Sequence, residues 1–259
     1  MQQPEKSGMS FYSIGYLAEN KALGSPIILV TPVETIPMLD GEIKSQQTPL
    51  EDAGVDSTGA SYNVKVSSNN AVEAKWLPFG SNRMTAPDVR RGERVMLWKY
   101  ADAEQLYWTD LGMDAHLRRL ETVLLSISGT QDESTTALDP DNTYYLEVSS
   151  HNKSITLRTS QKNGEFTRYT FQFNLADGAV TLADDLGNFF EMDSAETKLT
   201  LQNVEGTMFS LDKQDIIGNA PKNIDLTAGA MFRVTVGGSV FTMTPGGTTL
   251  KTPKFAGSK

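Results

Sequence analysis

Phe171-Gln172-Phe173, Val180-Thr181-Leu182, Phe190-Glu191-Met192, Leu199-Thr200-Leu201 and Phe209-Ser210-Leu211 are five short segments of one kind. Each sets two apolar side chains at i and i+2 around a polar residue, the period of a strand with one buried face. The same pairing extends outward from them. Ile155/Leu157 precedes them, and Ile224/Leu226, Phe232/Val234 and Phe241/Met243 follow, with a lone Leu250 closing the series. From Phe171 onward the pairs recur about every nine or ten residues, the spacing of repeated short strands. Two longer steps interrupt the ladder, one across Lys162-Asn163-Gly164 and one across Gly218-Asn219-Ala220-Pro221.

Gly187-Asn188-Phe189-Phe190, Gly206-Thr207-Met208-Phe209 and Gly229-Ala230-Met231-Phe232 share a G-x-x-F form. They recur at roughly twenty-residue intervals, a self-similarity that marks stacked, solenoid-like β architecture. Two apolar side chains per strand contribute about 1.5–3 kcal/mol each when fully buried. Ordering each backbone residue costs about 1–2 kcal/mol. A single chain folding residues 154–252 on itself would have a thin core and open edges. The ladder therefore predicts an obligate oligomer in which strands gain neighbours from other copies.

The chain has 259 residues and a formal net charge of −9, with 39 % hydrophobic residues. No basic patch is rich enough for a nucleic-acid surface, so no nucleic-acid partner is expected. The absence of cysteine excludes disulfides and thiolate metal sites. The polar start, Met1-Gln2-Gln3-Pro4-Glu5-Lys6-Ser7-Gly8, lacks the apolar core of a signal peptide. Ile27-Ile28-Leu29-Val30, the longest aliphatic run, is far too short to span a bilayer.

Before the ladder, residues 11–17 and 26–31 read as strands joined by a turn at Asn20, Lys21 and Gly24. Residues 38–60 read as a polar loop. Tyr62-Asn63-Val64-Lys65-Val66 alternates, and residues 72–77 continue a sheet. Gly92-Glu93-Arg94-Val95-Met96-Leu97-Trp98-Lys99-Tyr100 is a strong strand, turned at Ala101–Glu104 to pair with Gln105-Leu106-Tyr107-Trp108. About five strands containing all three tryptophans, Trp76, Trp98 and Trp108, suit a small closed barrel of the OB type. Asp114 is placed to N-cap a short helix bearing Leu117 and Leu120. From Thr122 the period becomes two, residues 129–142 form a polar loop, and Tyr144 starts the ladder. The expected organisation is all-β: a barrel over residues 1–112, a linker with a short helix and polar loop over 113–145, and the ladder over 146–259.

No catalytic, cofactor-binding or metal-binding residue is assigned. His116 and His151 lie in different segments without a motif, and His151, in a Ser-Ser-His-Asn turn, reads as solvated. Asp184/Asp185 and Glu191/Asp193 are acidic pairs of the kind glycoside hydrolysis uses, but that chemistry needs them flanking a cleft. Glu191 and Asp193 point away from Phe190 and Met192, onto a solvated face. Gly237-Gly238 and Gly246-Gly247 lack the Gly-Lys-Ser/Thr of a phosphate loop and read as tight turns between strands. The calcium β-roll pattern fails for want of Asp at the required offset. Arg90-Arg91 and Arg118-Arg119 read as solvated or salt-bridged clusters.

The order of a small OB-like barrel followed by a Gly-punctuated β-ladder resembles the central spike proteins of contractile-tailed bacteriophages. It is also similar to the valine-glycine-repeat spikes of type VI secretion. The residues that carry the resemblance are Gly92-Glu93-Arg94-Val95-Met96-Leu97-Trp98-Lys99-Tyr100-Ala101-Asp102 with Tyr107-Trp108, and Leu117-Arg118-Arg119-Leu120-Glu121-Thr122-Val123. Asp184-Asp185-Leu186-Gly187-Asn188, Val234-Thr235-Val236-Gly237-Gly238-Ser239, Thr242-Met243-Thr244-Pro245-Gly246-Gly247 and Leu250-Lys251-Thr252-Pro253 complete it. The resemblance implies a homotrimeric, non-enzymatic spike in the virion tail baseplate, made in the host cytoplasm. Its ladder would be an intertwined trimeric β-helix or β-prism, and its barrel end would sit on a baseplate hub protein. The spike would touch the bacterial outer membrane transiently, as it punctures it when the sheath contracts. Two features depart from that family. The 129–142 loop leaves no room for an inserted lysozyme domain. The terminal stretch 252–259 has no His-x-His iron site, so the expected tip is metal-free or completed by a separate capping protein. A trimeric tail fibre or receptor-binding protein reading host glycans is the alternative, with Phe255 as its available late aromatic. A cell-wall hydrolase is a third.

Overall fold

A computed structural model of the chain describes residues 8–34, 49–55, 61–67, 71–101, 103–111, 120–131 and 142–256. The helix expected after Asp114, with His116 and Arg118-Arg119, lies outside the described residues. Those residues contain strands and no α-helix.

The N-terminal strands are β1 (Met9–Leu17), β2 (Ile27–Pro32), β3 (Pro49–Val55), β4 (Ser61–Ser67), β5 (Val72–Trp76), β6 (Arg94–Tyr100) and β7 (Leu106–Asp110). Five of them close a barrel in the order β1-β2-β5-β7-β6, returning to β1. Its pairs are antiparallel except β5 with β7, which run parallel. The ladder between β1 and β6 shifts register between Phe11 and Ser13. Such a bulge bends a strand, and here the long β1 pairs with β6 along its length and with β2 at its end. Inside are Leu17, Ile28, Val30, Ala74, Val89, Val95, Leu97, Leu106 and Trp108. The Trp108 indole N–H donates to the Pro26 carbonyl at 3.0 Å, so the largest core side chain is also satisfied. At Gly15 an added Cβ would lie 2.3 Å from Val30 Cγ2, and the barrel wall has no room for it.

β3 and β4 form a separate two-stranded sheet. β4 was expected; β3 falls in the stretch read as a polar loop. Pro49, Glu51, Asp52 and Gly54 are residue types depleted in strands, and its backbone pairing with β4 fixes it instead.

The C-terminal part is an antiparallel meander. β8 (Thr122–Ser128), β9 (Thr143–Ser149), β10 (Ser154–Arg158), β11 (Tyr169–Asn174), β12 (Ala179–Asp184), β13 (Phe189–Asp193), β14 (Lys198–Gln202), β15 (Met208–Asp212) and β16 (Asp215–Asn219) pair strictly in sequence. β17 (Phe232–Val236), β18 (Ser239–Thr244) and β19 (Gly247–Lys251) make a three-stranded sheet of their own. The glycine pairs do sit at its hairpins: Gly237-Gly238 between β17 and β18, and Gly246 with Gly247 at the start of β19.

Four details differ from the expected ladder. The sheet begins at β8, so Thr122–Ser128 in the expected linker is its first strand. β16 occupies the second interruption, where Ile216-Ile217-Gly218 hides the period-2 signal by placing two apolar residues side by side. Ile224 and Leu226, expected as a strand pair, lie in no strand. Leu250, read as a lone residue, belongs to β19.

Candidate assembly surface

Antiparallel registry lines up the apolar pairs across the whole meander. Val123, Val148, Ile155, Phe173, Val180, Met192, Leu199, Leu211 and Ile216 are successive cross-strand partners. Two residues along each strand, Leu125, Leu146, Leu157, Phe171, Leu182, Phe190, Leu201 and Phe209 make a second row, ending at Gly218. Residues at i and i+2 share a face, so both rows lie on one side of the sheet. Directly opposed side chains are about 4.5–5.5 Å apart at Cβ and pack on each other. Phe171 and Phe173, with ring centroids 5.0 Å apart in an edge-on pair, link the rows.

This face is bare within one chain. Leu157, Leu201 and Phe209 are more than half exposed, and Phe190 is 43 % exposed. On the reverse face the middle row reads Leu124, Glu147, Thr156, Gln172, Thr181, Glu191, Thr200, Ser210 and Ile217, polar at all but its two ends. Of these, Thr156, Thr200 and Ser210 are buried. A sheet that buries hydroxyls and exposes two rows of Leu, Ile, Phe and Val inverts the usual arrangement. Exposed apolar patches of this extent mark interaction surfaces.

Along one margin of the apolar face Tyr169, Leu182, Phe190, Leu201 and Phe209 line an open groove of about 540 Å³, edged by Asp184, Asn188 and Asn203. The edge is built by a turn. Asp184 Oδ1 accepts the main-chain N–H groups of Leu186, Gly187 and Asn188 at 3.0, 3.0 and 2.9 Å. The Asn188 side-chain amide donates to its other oxygen at 2.7 Å, and Val204 N–H donates to Asn188 Oδ1 at 3.0 Å. The Asn188 hydrogen bond, with the main-chain donors, outweighs desolvation and holds the Asp184 carboxyl below its ordinary value. Gly187, at φ 109°, supplies backbone that a side chain would strain. Further along, the Tyr144 hydroxyl donates to Glu165, which raises the phenol and lowers the carboxyl.

No protein-family model matches the chain, and no curated protein sequence matches it. What the surface does rests on its own geometry.

The surface is held to the barrel by a second set of residues. Between β5 and β6, Arg83 bridges to Leu125 of β8, Met84 N–H donates to Leu124 O at 2.8 Å, and Ser126 N–H donates to Asn82 O at 3.2 Å. The Thr85 hydroxyl accepts the Leu124 N–H at 3.0 Å. Residues 82–85 thereby cover the open edge of β8, a device that blocks pairing there with another chain. The Arg83 guanidinium pairs with Glu121, whose residue is 8 % exposed. Asp88 takes Lys21 Nζ at 2.8 Å and His151 Nε2 at 2.7 Å, joining the β1–β2 turn to the β9–β10 turn. Burial pushes Asp88 up, but hydrogen bonds and charge from Lys21 and His151 together hold its carboxyl below the ordinary value.

His151, read as merely solvated, is thus a partner of Asp88 contributed from far along the chain. Glu191 sits on the polar face, since its cross-strand partners are Thr181 and Thr200 while Phe190 opposes Leu182 and Leu201. Asp184 is taken up by its turn, and Asp185 pairs with Arg168. Arg91 N–H donates to Asn20 Oδ1 at 3.0 Å, and Arg90 N–H to Glu93 Oε2 at 2.9 Å. The clamp at residues 82–85 escaped sequence reading because Pro78, Gly80 and Pro87 mark that stretch as loop.

Proposed function

We propose that the chain is the central spike of a contractile phage tail, acting mechanically as a rigid homotrimer. The observation that carries the reading is the pair of in-register apolar rows, bare across a nine-stranded sheet. Three copies turning these faces inward enclose the rows and give a prism with no solvent-facing apolar wall. The small closed five-stranded barrel, with its single parallel pair of β5 and β7, supports this reading by agreeing with the expected OB-type head. In this reading the barrel end seats on a baseplate hub protein, and the C-terminal end leads through the outer membrane with or without a capping protein. Three chains carry 3 × −9 = −27 formal charges, which limits adhesion to anionic lipopolysaccharide during passage.

Support for rigidity comes from the tight turns that join β11 through β16 and from the barrel–sheet clamp. Imaging of the purified protein is the test. A thin rod with a wider head that survives heating in detergent is expected; a compact globule that melts at ordinary temperature would sink the reading. The tail-fibre alternative has Phe255, 75 % exposed, in its favour, and selective binding on a glycan array would promote it.

A further inference from the structure

Residues 220–231 join β16 to β17 and make no main-chain hydrogen bond to any described residue. They carry Ile224 and Leu226 at i and i+2, exposed by 62 % and 71 %. That is the pattern of most rungs in the ladder, yet this one has no partner strand. Beside it are two ends in want of one. β16 is exposed along its whole length and, among the described residues, pairs only with β15. The second apolar row stops at Gly218, where no side chain continues it. Past the segment both rows resume, as Phe232 with Met243 and Val234 with Phe241 and Leu250.

We propose that residues 222–228 form a β-strand in the assembly by adding to the open edge of β16 in a second copy of this chain. The inference rests on the oligomeric reading above and deepens it by naming where one copy crosses to the next. Pro221 has no N–H to donate and disfavours the helical region for Ala220, so the chain leaves β16 extended and does not fold straight back on it. Strand addition satisfies the main-chain groups of both segments. It also sets Ile224 and Leu226 in line with the two rows, replacing the gap left at Gly218. Lys222, the sole cation between Gly218 and Met231, is brought to an edge that opens with Asp215. The three-stranded sheet of one copy then stacks beneath the meander of another, which locks the copies against sliding.

The full chain has no cysteine, so introduced thiols report cleanly. Chains bearing Ile216→Cys under one tag are co-expressed with chains bearing Ile224→Cys or Leu226→Cys under another, and mildly oxidised. A covalent pair of differently tagged chains, absent when either variant assembles alone, is the expected result. Hydrogen exchange on the unmodified protein gives an independent readout. The amides of residues 222–228 should exchange at least roughly tenfold slower than an unstructured peptide. A three-chain species with no mixed covalent pair and with unprotected amides there overturns the strand exchange while leaving the spike reading standing. A monomer in solution overturns both.

Discussion

Phe190→Ser strikes the middle of the second apolar row without touching the barrel. Phe190 faces Leu182 and Leu201 across its neighbours and remains 43 % exposed in a single chain. Full burial of a phenylalanine contributes about 3 kcal/mol, so the exposed share represents about 1.3 kcal/mol per chain. Three copies lose about 4 kcal/mol of association energy, roughly a thousandfold in the assembly constant at 1.4 kcal/mol per tenfold. Because three chains combine, the concentration of half-dissociation rises by the square root of that, roughly thirtyfold. Sedimentation over a dilution series reads this shift directly. Glu191→Ser, one residue on and on the opposite face, is the control and should leave the midpoint in place. The reasoning is refuted if Phe190→Ser assembles as tightly as the parent, or if Glu191→Ser weakens assembly equally.

Other consequences follow from the barrel and the clamp. Glu121→Ala strands the Arg83 guanidinium against β8, and removing one member of a largely buried pair costs about 3 kcal/mol; urea unfolding should show the loss. Asp88 has a depressed folded pKa, so its contribution is present above its unfolded value near 3.8 and disappears as pH falls through the folded one. The stability gap between the parent and Asp88→Asn should therefore be full at neutral pH and close in acid; a gap that widens in acid would contradict the assignment. Gly15→Ala forces a methyl group against Val30 and should cost about 1–3 kcal/mol in thermal unfolding of the barrel.

Much of the meander was legible because its strands carry alternate apolar and polar residues over a regular spacing. Phe171/Phe173 through Phe209/Leu211 gave period, face and turn positions together. The barrel was legible from its tryptophans and from the Gly92–Trp108 hairpin. The failures have physical causes. β3 is made of poor strand formers whose state is decided by its partner. β16 puts Ile216 beside Ile217 and so breaks the alternation. Ile224 and Leu226 have the pattern of a strand but lack the neighbour that makes one. Cross-strand registry, which turns scattered pairs into two continuous rows, is a long-range property that depends on turn lengths. Arg83 and His151 gain their roles from partners 38 and 63 residues away, and Asp88 also takes Lys21 from the first hairpin; no local signal announces them. Why Ser210 buries a hydroxyl with no hydrogen-bond partner has no explanation in the packing around it.

In the proposed spike the apolar face of the meander is an inside surface formed by three chains. Sedimentation equilibrium of the purified chain, each copy weighing 28.4 kDa, measures that claim most directly. A species of about 85 kDa, dissociating only at the dilute end of the series, is the predicted result. A stable, soluble species with the mass of one chain would contradict it.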